Sequence, residues 1–332
     1  MWYDSCRPVV GSSICRSIAV LVALGLLAWA GEAPAQDGAV AGGPRFAPGV
    51  LTTIQPEIEP DETFSRHDIV ELRADDQLQR KPNASSESRT LFEMAEQVRI
   101  DHDVWCLELS FKPLRMLYVD IPQPAGKMQR KLLWYMVYRI RNTGVGLTSE
   151  QRDDGSFTTV DKPVESLRFI PQFVLESQDV DRQGSSIGKA YLDRIIPSAY
   201  APIARRELPR GGELLSSVEI SERMLELESG RAIKGLWGVA MWEDVDPQID
   251  FFSVYVGGLT NAYRWQDPAG AYQLGDPPGT GRKLFRKTLQ LNFWRPGDEY
   301  AENEREVRFG VPLGKAGLYG VSEGVAYHWV YR

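Results

Sequence analysis

The chain has 332 residues, of which 25% are charged and 43% hydrophobic, and carries a formal net charge of −7 at pH 7. That acidic balance argues against nucleic acid and against anionic lipid surfaces as general partners. Three cysteines and three histidines, none at the spacing of a metal pair, argue against a zinc framework and against a disulfide scaffold.

The chain begins with Arg7 and Arg16, an apolar run from Ile18 to Ala30, and the small-residue exit Ala33-Pro34-Ala35. This is the pattern of a secretory signal peptide over residues 1–35. The apolar run is shorter than the about 20 residues that a spanning helix needs. The expected location is therefore periplasmic or extracellular, with no stable membrane insertion after cleavage. Cleavage removes Asp4 and Glu32 along with Arg7 and Arg16, so the net charge is unchanged, and it leaves Cys106 as the only thiol. The domain must then be held by its core rather than by disulfides. Residues 36–90 include "DGAVAGGPRFAPG" and "RADDQLQRKPNASSESR". They read as a flexible tether, with one short strand at Asp68–Leu72.

From residue 91 to 332 the apolar residues recur with period two, which is the signature of strands. "TLFEMAEQVRI" fits a helix or a strand. In "VWCLELSF", Trp105, Leu107, Leu109 and Phe111 share one face, and Cys106, Glu108, Ser110 and Lys112 the other. In "LLWYMVYRIRN", Leu132, Trp134, Met136, Tyr138 and Ile140 line one face, while Leu133, Tyr135 and Val137 give way to Arg139 and Arg141 on the other. This predicts a central strand, buried on one side and half-buried on the other. "FFSVYV", "TLQLNFW", "EVRFGVP" and "AYHWVYR" are further strands. The best helix is "IIPSAYAPIARRE", begun by Pro197, with Pro202 expected to break it after about two turns. No βαβ alternation is present. The predicted fold is all-β: an antiparallel immunoglobulin-like β-sandwich, a single elaborated unit or two in tandem, with one or two short helices.

The segments "VWCLELSFKPLRMLYVDIP", "LLWYMVYRIRNTG" and "GLWGVAMWEDVDPQIDFFSVYVGGLTNAY" resemble uncharacterised exported proteins of planctomycete-type bacteria. The middle segment, ending in Arg-Asn-Thr-Gly, is similar to strands of bacterial extracellular immunoglobulin-like domains. Both resemblances imply an exported β-sandwich; neither implies an activity or a site.

Two motifs imitate catalytic signatures. "GDPPGTGRKL" (275–284) fails as a phosphate loop, because five residues separate Gly275 from Gly281, and Leu284 stands where a magnesium-binding hydroxyl belongs. It reads as a turn before a strand. "GVSEG" (320–324) has the spacing of an esterase elbow, but no aspartate follows Ser322, and His328 falls in a strand pattern. Cys106 is expected to be a buried, inert thiol.

The acidic turns carry more. "WEDVDPQID" offers Asp244, Asp246 and Asp250, and "QDVDRQGSS" offers Asp179 and Asp181. Closely spaced oxygen ligands of this kind suit calcium, the one cofactor the sequence suggests. Trp294 alternates with Asn292 and Gln290 on the polar face of its strand. An exposed tryptophan beside amides suits a sugar ring or a partner protein. The reading is a non-enzymatic exported protein with a structural or binding role in the cell envelope, partnered by an envelope protein or a polysaccharide. The alternative is a secreted carboxylate-dependent hydrolase of the glycoside hydrolase type, supported by calcium.

Overall fold

The alternating segments pair as antiparallel strands in two large sheets. The computed structural model describes residues 49–66, 99–123, 126–181, 183–208, 211–228, 235–270, 280–296 and 307–332. The signal segment, the strand expected at Asp68–Leu72 and the first half of "GDPPGTGRKL" lie outside the described residues. In chain order the strands of the two sheets are β1 (Thr52–Ile54), β2 (Glu108–Phe111), β3 (Arg115–Pro122), β4 (Met128–Arg141), β5 (Gln172–Ser177) and β6 (Ala190–Leu192). After them come β7 (Leu236–Glu243), β8 (Phe251–Gly257), β9 (Tyr263–Gln266), β10 (Lys283–Trp294), β11 (Arg308–Phe309) and β12 (Tyr327–Tyr331). Two α-helices are described, α1 (Pro197–Glu207) and α2 (Ser217–Glu222).

The five-stranded sheet is organised on β4. One edge of β4 pairs with β7 from Leu133 to Ile140, and the other is shared by β3 and β2. β1 closes the far side by pairing with β2. The seven-stranded sheet is organised on β10 in the same way. It runs β6-β5-β8-β10-β9, with β12 and β11 along the second edge of β10. One core joins the two sheets. Trp134 meets Phe252 edge-on with ring centroids 5.4 Å apart, Phe111 meets Phe293 at 6.2 Å, and Tyr138 meets Phe173 at 4.6 Å. Val254, Val256, Leu289 and Leu291 fill the space between them. Aromatic pairs of this kind contribute roughly 0.5–1.5 kcal/mol each beyond their area burial.

The second face of β4 is half-buried, as expected: Leu133, Tyr135 and Val137 are buried with Ile196, Ala199 and Ile203 of the α1 segment, while Arg139 and Arg141 are only partly covered. Two expectations are corrected. Helix α1 starts at Pro197, as expected, but runs on through Pro202 to Glu207. Proline there removes one backbone bond, and the burial of Ala199 and Ile203 against β4 and β7 outweighs that loss. Part of the segment expected as a tether belongs to the fold: β1 pairs with β2, Ile54 joins the core, and Glu62 and Thr63 are buried.

Two local devices fix the chain elsewhere in the fold. Gly258 follows β8 at φ +85°, and an added Cβ would strike the carbonyl of Ile170. Only glycine fits there. Helix α2 opens with a capping box, in which Ser216 Oγ accepts from Glu219 N at 3.1 Å and the Glu219 carboxylate accepts from Ser216 N at 2.8 Å.

Candidate functional site

Neighbouring strands β5, β8 and β10 stop together, and their ends set out the site. Ser177 pairs with Phe252, and Phe251 with Trp294. The backbone ladder continues one step further, with Gln178 N donating to Phe251 O at 2.7 Å and Arg295 N to Asp250 O at 2.9 Å. Adjacent strands lie about 4.8 Å apart, so Asp179, Asp250 and Arg295 are brought side by side by register alone. The turn Pro312–Leu318 closes the fourth side.

The result is a cleft of two adjoining hollows. One, of about 370 Å³, is lined by Asp179, Asp246, Asp250, Lys189 and Lys315 among others. The other, of about 270 Å³, is lined by Trp294, Arg295, Pro296 and Leu313. Asp250, Phe251 and Lys315 line both.

Of the five aspartates read from the sequence, three meet here. Asp179 is tied to backbone: Oδ1 accepts from Phe251 N at 3.0 Å, and Oδ2 from Asp250 N at 3.3 Å and Ser177 Oγ at 3.1 Å. Asp246 pairs with Lys189 and accepts from Gln248 N at 2.9 Å. The lysine hydrogen bond holds the Asp246 carboxyl below the usual carboxylate range. Asp250 goes the other way. Burial raises it, and the charge of Asp179 adds to the rise, while Arg295 opposes it. Asp181 caps its own turn through Gln183 N and Ser185 N. Asp244, at φ 56°, pairs with Lys131 at 2.7 Å. Neither Asp181 nor Asp244 lines the cleft. Among the described residues no group of three or more His, Cys, Asp or Glu is placed to hold a metal ion. In the two loops expected to ligate calcium, the aspartates accept from backbone amides and pair with lysines.

Compared with known protein families, curated proteins and solved structures, the chain matches none of them. The chemistry of the cleft therefore has to be read from its own residues.

Trp294 does line the cleft, half-buried, with the Arg308 guanidinium 4.7 Å from its ring centroid. The amides expected beside it do not. Gln290 and Asn292 are 3% and 0% exposed, a correction to the reading of their strand face as open. Gln290 Nε2 donates to Asn292 Oδ1 at 2.9 Å and to Tyr319 O at 3.1 Å, and Ser253 Oγ donates to Asn292 Oδ1 at 2.9 Å. Alternation reports which side of a strand a residue occupies, and here the segment before β12 covers that side.

Arg295 was missed. It continues the inward series Leu289, Leu291, Phe293, so a charge in phase with the core was the available signal. It is 2% exposed. Its Nε donates to Ile249 O at 2.7 Å, and its guanidinium lies 5.5 Å from the Trp134 ring centroid. Nη1 and Nη2 have no hydrogen-bond partner.

Neither imitation motif is followed by the helix its chemistry would need. Ser322 sits in an exposed loop that leads into strand β12, where His328 lies, so no strand-to-helix elbow forms. Lys283 opens strand β10 where a phosphate loop would need a helix. Cys106 is buried, and burial pushes its thiol up to about 12.

Proposed function

We propose that the protein is an exported, non-enzymatic binding protein of the cell envelope, an elaborated immunoglobulin-like sandwich that seats a saccharide chain in the cleft at the ends of β5, β8 and β10. The observation that carries this reading is the meeting of Trp294 and Phe251 with Asp250 and Lys315 in one concave surface. A sugar ring has an apolar face for an aromatic side chain and hydroxyls for carboxylates and ammonium groups. Pockets of about 300–1,000 Å³ are the usual size for such ligands. Export is inferred from the leader sequence.

Calorimetric titration with soluble polysaccharides tests the reading. Trp294→Ala is expected to weaken binding at least tenfold. Binding that ignores this change removes the cleft from consideration.

A second reading is favoured by one observation. Asp250 and Asp246 line the same hollow, and their environments push their carboxyls in opposite directions. Such a pair suits a glycoside hydrolase, with Asp250 protonating the leaving oxygen and Asp246 as the ionised partner. Release of reducing ends from a bound polysaccharide, lost in Asp250→Asn, would place the protein in this class.

A further inference from the structure

Three buried charge clusters elsewhere in this protein pair opposite charges. Lys287 meets Glu62 at 2.7 Å. Glu207 meets Lys112 and Arg115, each at 3.3 Å. Glu108 accepts from Arg141 at 2.9 Å. An unpaired ion in a protein interior is costly, so such pairing is the rule. Arg295 departs from it, as does the buried Arg308, whose guanidinium lies over the Trp294 ring. Among the described residues Arg295 forms no ion pair, and two of its three nitrogens have no hydrogen-bond partner, although the residue is as buried as any of these. It lines the cleft beside Trp294. Lys315, exposed on the opposite wall, also forms no ion pair among the described residues.

The cleft is thus polarised. At the Asp179 end two of the three carboxylates are already answered, by backbone amides at Asp179 and by Lys189 at Asp246. At the Trp294 end three cations, Arg295, Arg308 and Lys315, form no ion pair among the described residues, although the Asp250 carboxyl feels the charge of Arg295. We propose that the saccharide bound here carries an anionic group, a carboxylate or a sulfate, received by Arg295 and Lys315 while its ring lies against Trp294. Guanidinium presents paired N–H donors in the geometry of an oxyanion, and the missing acceptor is supplied by the ligand. This inference rests on the reading of the cleft as a saccharide seat.

The test uses the full mature chain in three calorimetric titrations: with polygalacturonate, with dextran sulfate and with unmodified dextran. The expected result is binding to one or both of the charged polymers at least tenfold tighter than to dextran. Arg295→Met and Lys315→Ala should each weaken that binding at least tenfold, and Arg286→Ala, an exposed cation outside the cleft, should leave it unchanged. Lys315 is exposed, so its variant keeps the test valid if Arg295→Met fails to fold. Preference for polygalacturonate assigns a carboxylate, and preference for dextran sulfate a sulfate. Dextran binding as tightly as the charged polymers, and lost in Trp294→Ala, overturns the anionic group and leaves the saccharide seat standing. Equal losses from Arg286→Ala and Lys315→Ala show diffuse attraction and overturn the proposal. No binding of any polymer removes the seat and the proposal together.

Discussion

Two charged regions of the molecule, built from the same residue types, are finished differently. At one, Lys287 on β10 and Glu62 in the segment before the Phe64–Ser65 strand form an ion pair whose side chains are 3% and 0% exposed. Lys287 also donates to Glu57 O at 2.8 Å, lies 5.3 Å from the Trp329 ring centroid, and shares Glu62 with the Tyr331 hydroxyl. At the other, Arg295 at the end of the same strand has a backbone carbonyl and an aromatic ring, and nothing that carries a negative charge within ion-pair distance among the described residues. The first region is a clasp that holds the N-terminal segment across the sandwich. The second is incomplete as it stands.

The largest effect separating the two should come from breaking the clasp. Glu62→Leu leaves Lys287 buried and uncompensated, and urea unfolding should show a loss of about 3–5 kcal/mol. The double variant Glu62→Leu/Lys287→Met should recover most of that loss, because no lone charge remains. If the single change costs under about 1 kcal/mol, the clasp is not one. Next comes Gly258→Ala, at the end of β8 remote from the cleft. Positive φ and the collision with Ile170 O should cost about 1–3 kcal/mol, read as a lower midpoint at unchanged slope. Arg295→Met should alter stability by less than about 1 kcal/mol in either direction, since it removes a charge that the fold does not answer. A loss as large as that of Glu62→Leu would make Arg295 structural and dissolve the contrast.

The smallest effect concerns pH. Asp250 faces Asp179, Asp246, Lys189, Lys315 and Arg295 around the cleft. Its carboxyl is raised by burial and by Asp179. A raised carboxyl is neutral in the fold over a range where it is ionised in the unfolded chain. Its contribution to stability is therefore full below the unfolded value and fades as pH rises through the folded one. Binding of an anionic saccharide should follow the same direction, tightening as pH falls and Asp250 loses its charge. Asp250→Asn should flatten that profile in a pH series of titrations; an unchanged slope would assign it to another group.

Much of the fold was legible because strands write their period into the sequence. Phe252, Val254 and Val256 on β8, and Leu289, Leu291 and Phe293 on β10, face the core as alternation requires. Strand β7 was not singled out, since its buried run Val239–Trp242 has no polar alternation to mark it. Helix α2 also went unread, although Ser216-x-x-Glu219 spells its capping box. The cleft was half legible. Asp179, Asp246, Asp250 and Trp294 were all singled out as polar or exposed candidates, but in separate groups and alongside Asp181, Asp244, Gln290 and Asn292, which lie elsewhere.

Sequence by itself determined the two oily strand faces, the acidic character and the turn chemistry, because each depends on residues a few positions apart. The tertiary structure alone decided that Asp179, Asp250 and Arg295 stand in a row. That adjacency is set by the register of β5, β8 and β10, whose paired residues come from segments far apart in the chain, and so no local pattern could contain it.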